Sequence, residues 1–115
     1  MSTIAAGRAE IVAALNAVAG IQAYLSKPSA PRSGDAWLTW RADRDSDTVG
    51  GFDITWSIVI VTPAGEQASD TWIDDHLDAV LAALRPVTYV TGFAPANLGT
   101  DASPVFGLLI TTDRE

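Results

Sequence analysis

The segment FDITWSIVIV, residues 52–61, constrains the fold of this chain more than any other. Its even positions, Phe52, Ile54, Trp56, Ile58 and Ile60, are all apolar. Its odd positions run Asp53, Thr55 and Ser57, then turn apolar at Val59 and Val61. A period of two is the pattern of a strand with one face on a core. The change at Val59 leaves the end of this strand apolar on both faces, so the fold must supply cover on two sides there.

The neighbouring segments define what cover is available. Residues 3–18 read as a helix with Ile4, Ile11, Leu15 and Val18 on one stripe, Ser2 or Thr3 at its start and Gly20 where it stops. IQAYL (21–25) alternates as a short strand, and SKPSAPRSGD (26–35), with Pro28 and Pro31, is a loop. AWLTWR (36–41) is a second strand. ADRDSDTVGG (42–51) is a long polar hairpin loop ending in two glycines, expected to be mobile in the isolated chain and to order on assembly. After a turn at Pro63, Ala64 and Gly65, residues 69–84 read as a second helix with the stripe Trp72, Ile73, His76, Leu77, Val80, Leu81 and Leu84. Asp70, Asp74 and Asp75 sit near its N-terminus, Arg85 near its C-terminus, and Pro86 ends it. VTYVTGF (87–93) and PVFGLLITTD (104–113) are the last strands, joined by APANLGTDAS.

The order helix, three strands, helix, two strands predicts an α/β (α+β) fold over one domain, residues 1–115. It has a mostly antiparallel sheet of about five strands with two helices packed on one face. Ile4, Ile11, Leu15, Ile54, Trp56, Ile58, Ile73, Leu77, Val80 and Leu81 are expected in one cluster. Two helices cover one sheet face only. Trp37 points away from Leu38 and Trp40, so it joins Val59 and Val61 on the second face. Either the long loops fold back over that face or a neighbouring subunit covers it. The second is expected, with Trp37, Val59, Val61 and the hairpin acids Asp43, Asp45 and Asp47 as interface residues. On that view, replacing both valines by Asp leaves the monomer folded and abolishes assembly.

The search for chemistry nominates little. With no cysteine among 115 residues, disulfides, thiolate catalysis and Cys-based metal sites are excluded. A formal net charge of −7 opposes a grip on DNA or on anionic lipid, yet suits a surface past which nucleic acid slides. No apolar run approaches the roughly 20 residues of a membrane span, and no signal peptide is visible, so assembly in a cytoplasm is expected. DRDSD (43–47) has the acidic spacing of a calcium loop, but Thr48 stands where Gly is needed and Ile54 where the bidentate Glu should be. His76 is the only histidine, and Ser57 and Ser69 lack a nucleophile motif. GFAPANLGTD lacks phosphate-loop spacing. No catalytic residue, cofactor or metal is expected, and the chain is not expected to be an enzyme.

Five segments together carry a resemblance: STIAAGRAEIVAALNAVAGIQAY, PRSGDAWLTW, FDITWSIVIVTP, ASDTWIDDHLDAVLAALRPV and APANLGTDASPVFGLLITTDRE. Over nearly its full length the chain resembles the tail terminator proteins of long-tailed phages of actinobacteria, relatives of the lambda-type tail terminator. Neck and head-completion proteins of similar size are the nearest confusable group, and a small cellular ligand-binding α+β domain is the reading from another class. The resemblance implies helices on one side of a mixed or antiparallel sheet and a ring, typically a hexamer, at the head-proximal end of the tail. It implies contacts with the tail tube protein and with a head-completion or neck protein. Phage DNA would pass through the lumen without specific binding. No catalytic residues carry over from it.

Overall fold

The chain folds in the order α1 (Thr3–Asn16), β1 (Gln22–Ala23), β2 (Asp35–Arg44), β3 (Phe52–Val61), α2 (Glu66–Leu84), β4 (Tyr89–Asn97) and β5 (Phe106–Arg114). This is a computed structural model, and it describes residues 3–44, 52–99 and 105–114. The five strands form one sheet in the order β1-β2-β3-β5-β4. β1 and β2 are parallel, and the other three pairings are antiparallel. The fold is α+β with a mostly antiparallel sheet, as the pattern predicts.

The helix-covered face holds the main core. Ile11 and Leu15 of α1 and Ile73, Val80 and Leu84 of α2 cluster with Leu38, Trp56, Ile58, Ile60, Leu108 and Ile110 of the sheet. Ile54 and Leu77 pack at its margin. The β3 alternation is thus realised in the expected register, with Ile58 fully buried on the helix side. Each such side chain contributes about 1.5–3 kcal/mol through burial. The side chain of Ile4 lies outside the described residues. Leu81 is only half-buried and lines a cleft beside β4 rather than the cluster.

Element ends differ from the expected ones for identifiable reasons. α1 stops at Asn16 because the Asn16 side chain turns to the backbone of β1. Its Oδ1 accepts from the Ala23 N–H at 2.7 Å and its Nδ2 donates to the Ala23 carbonyl at 3.3 Å. α2 begins at Glu66, three residues early, because Gly65 with φ 99° turns the chain directly into the first helical turn. There Glu66 faces the positive end of the helix dipole. β4 continues through Pro95, since an edge strand tolerates proline where its missing donor faces outward.

Ser69, in the first turns of α2, is buried against the end of the sheet. Its hydroxyl lies 2.5 Å from that of Thr62, which is equally buried. Ser69→Ala leaves the Thr62 hydroxyl without its partner, an expected loss of about 1–3 kcal/mol. Urea unfolding measures it, and an unchanged midpoint would show that the pair contributes nothing.

Candidate functional site

The second sheet face places the expected interface residues together. Trp37 lies opposite Val59, Val59 opposite Leu109, and Val61 opposite Gly107. Trp37, Val59 and Val61 form a cluster, with Leu98 and Leu109 packed on it. Their exposures are 7 %, 8 % and 5 % in the single chain.

The expectation that nothing within one chain covers Val59 and Val61 is therefore corrected: the chain folds back over its own second face. The cause is the parallel pairing of β1 with β2, which forces the connection 24–34 to return to the start of β2. It returns over this face. Lys27 Nζ stands 5.6 Å from the centroid of the Trp37 ring. The turn is locked where Asp35 Oδ2 accepts from the Arg32 N–H at 2.8 Å and the Gly34 N–H donates to the Val61 carbonyl at 2.7 Å. Leu98, just past β4, covers the other end. Trp37, Val59 and Val61 are thus core residues of the monomer, and the case for them as a subunit contact loses its premise. Asp43 lies in β2 opposite Asp53, while Asp45 and Asp47 lie outside the described residues. Of the expected hairpin loop 42–51, residues 42–44 belong to β2, and the rest lies outside the described residues.

Away from that cluster the second face is polar. Thr39 and Arg41 of β2, Thr55 and Ser57 of β3, and Thr111 and Asp113 of β5 occupy it at exposed or half-buried positions. Thr55 Oγ1 donates to Asp113 Oδ1 at 3.3 Å.

His76 sits on α2 in stacked contact with Trp72, ring centroids 4.1 Å apart and planes 13° from parallel. Its Nδ1 lies 2.8 Å from the Trp72 carbonyl. The pair borders a shallow groove of about 730 Å³ that also includes Pro63, Gly65 and Asp75. The stacking and the hydrogen bond hold the ring against its own helix. No hydrogen bond of the described residues links it to a hydroxyl or carboxylate, so no general-base relay is assembled. Among the described residues no group of three or more His, Asp or Glu side chains gathers at metal-binding distance, and no helix is long and apolar enough to cross a membrane.

What the sequence did not reveal is the state of the sheet edges. Asn16 occupies the outer backbone groups of β1 at Ala23, which closes that short edge. Beyond Ala36 no described strand pairs with the outer side of β2. β4 is the opposite edge, and no described strand pairs with its outer side. Each open edge carries a large half-exposed aromatic on the helix side of the sheet, Trp40 at 44 % and Phe93 at 49 %. Neither the protein-family models nor the curated protein sequences include a match to this chain.

Proposed function

We propose that this chain is a structural ring protein of a phage tail, a tail terminator that caps the tail tube and stops its polymerisation. It would then present the surface to which the filled head attaches. The resemblance of the five quoted segments, over nearly the full length of the chain, supports this. So does the net charge of −7, which suits a channel that DNA crosses without sticking. The observation that carries the reading is a sheet whose two flanks each bear an exposed aromatic and, among the described residues, no further pairing strand. Two different flanks on one part favour head-to-tail repetition around a closed ring. An unpaired strand edge is a template on which another chain can pair. The ring is a hexamer on the strength of the resemblance, needs no cofactor, and acts in the virion at the head-proximal end of the tail after assembly in the host cytoplasm.

The test is to add the purified chain to polymerising tail tube protein from the same genome. Electron microscopy should show tubes of restricted length, each with a ring of added density at one end. Tubes that grow as long as in its absence, with bare ends, would overturn the reading.

A further inference from the structure

We infer that a single buried water bridges Trp56 Nε1 and Thr112 Oγ1, and that this bridge is the pin that sets the register of β5 against β3. The inference stands apart from the ring reading and holds whether or not the chain caps a tube.

Among the described residues, three buried side-chain polar atoms have no hydrogen-bond partner: Arg8 Nε, Trp56 Nε1 and Thr112 Oγ1. Arg8 as a whole is only half-buried. Trp56 is 1 % exposed, and Thr112 is fully buried. Trp56 and Thr112 are also register partners, side by side on β3 and β5. Both side chains lie on the helix side, where Trp56 belongs to the main core. An indole N–H can only donate, whereas a hydroxyl can donate and accept. No hydrogen bond joins the two directly. The flanking pairs offer them nothing, for they are Ile58 with Ile110 and Ile60 with Leu108. A buried indole N–H normally has a partner, and an unbonded buried group costs about as much as a lost hydrogen bond. One water answers both groups. It accepts from the Trp56 N–H and donates to Thr112 Oγ1, and polar partners of this kind are what hold an internal water.

The place of the pair gives the bridge a task. Side chains alternate along a strand with a period of two, so a slip of two residues keeps every side chain on its own face. If β5 slid so that Thr55 met Thr111, the helix side would pair Trp56 with Ile110, Ile58 with Leu108 and Ile60 with Phe106. All of these are apolar pairs, so burial on the sheet hardly separates the two registers. The slip does separate the polar pair. It leaves the Trp56 N–H beside an isoleucine and carries Thr112 to Ile54, at the margin of the core. The bridge therefore stabilises one register only, which is the best-attested role of a buried polar group. Thr55 Oγ1 also donates across these strands, to Asp113 Oδ1 at 3.3 Å, but that contact is exposed and water competes for it.

Thr112→Val keeps the shape of the side chain and removes the hydroxyl. With the bridge in place, this change should raise the unfolding equilibrium constant roughly fivefold in urea titrations. Without it, valine would only relieve an unbonded hydroxyl, so an unchanged or higher midpoint would overturn the proposal. In solution NMR the Trp56 indole proton should show a nuclear Overhauser contact to a long-lived water, and Thr112→Val should abolish it. Absence of that contact in the parent chain would also overturn the proposal. The register is read by introduced cysteines, since the chain has none of its own. Thr55→Cys with Asp113→Cys traps the observed register, and Thr55→Cys with Thr111→Cys traps the one slid by two. Under oxidised glutathione the first pair should close readily and the second slowly. Adding Thr112→Val should speed closure of the second pair roughly fivefold. An unchanged rate there would show that the bridge does not set the register, and the proposal would fall.

Discussion

Replacing Val59 and Val61 together by Asp should prevent the single chain from folding, whether or not other copies are present. Both side chains are at least nine-tenths buried, clustered with Trp37 and packed against Leu98 and Leu109. A carboxylate forced into such a cluster costs several kcal/mol. Lys27 stands above Trp37 of the cluster, and its single charge can offset at most one of the two. The combined loss is comparable to the whole stability of a domain, about 5–15 kcal/mol. Circular dichroism should show loss of the cooperative transition at the lowest protein concentrations. The milder Val61→Ala removes two buried carbons' worth of packing and should lower stability by about 2 kcal/mol. A folded double-Asp monomer that merely fails to associate would restore these valines as a subunit contact.

Gly34→Ala should be far more damaging than Gly65→Ala. Gly34 has φ 91°, a conformation that an L side chain rarely adopts. A methyl group there would run into the carbonyl oxygen of Gly20, which belongs to rigid backbone. The same residue donates to the Val61 carbonyl and accepts from the Gln22 N–H at 3.0 Å, so any shift disturbs β1 and β3 together. A loss of about 3 kcal/mol or more is expected from strain and clash combined. Gly65 supplies the control. Its φ is 99°, yet nothing lies within 4 Å of an added methyl group. Gly65→Ala should therefore lose only the conformational part, about 1–3 kcal/mol. Denaturant midpoints of the two variants measure the difference, and equal losses would show that the Gly20 contact yields freely.

The helix-side half of this fold is legible in the sequence because it rests on local periodicity. Ile11 and Leu15 on α1, Ile73 and Val80 on α2, and the even positions of β3 announce one shared core before any strand is placed. The second face is not legible, because its cover depends on which strands are neighbours. A two-residue strand such as β1 leaves almost no periodic trace, and its parallel pairing decides where the connection 24–34 returns. The same limit hides the edges. Alternation puts Trp40 on the helix side along with Leu38, and that side is where it lies. Its exposure follows from β2 having no described partner beyond Ala36, a property of strand order that residue spacing does not encode. Spacing puts Leu81 in the core stripe, but it stands on the border of that stripe and lines the cleft beside β4, while Val80 and Leu84 enter the core.

The position of β5 carries a consequence for how the protein is made. Translation delivers this strand after β4, yet the sheet needs it between β3 and β4. A nascent chain that has emerged only as far as β4 can form the β2–β3 hairpin and α2, but β4 then has no hydrogen-bonded route to the rest of the sheet. Such long-range closure is slow and leaves strand edges bare while it waits. It also imposes an order on events. The outer side of β4 becomes a defined surface only after β5 has claimed the inner side, so folding of the sheet fixes that edge last.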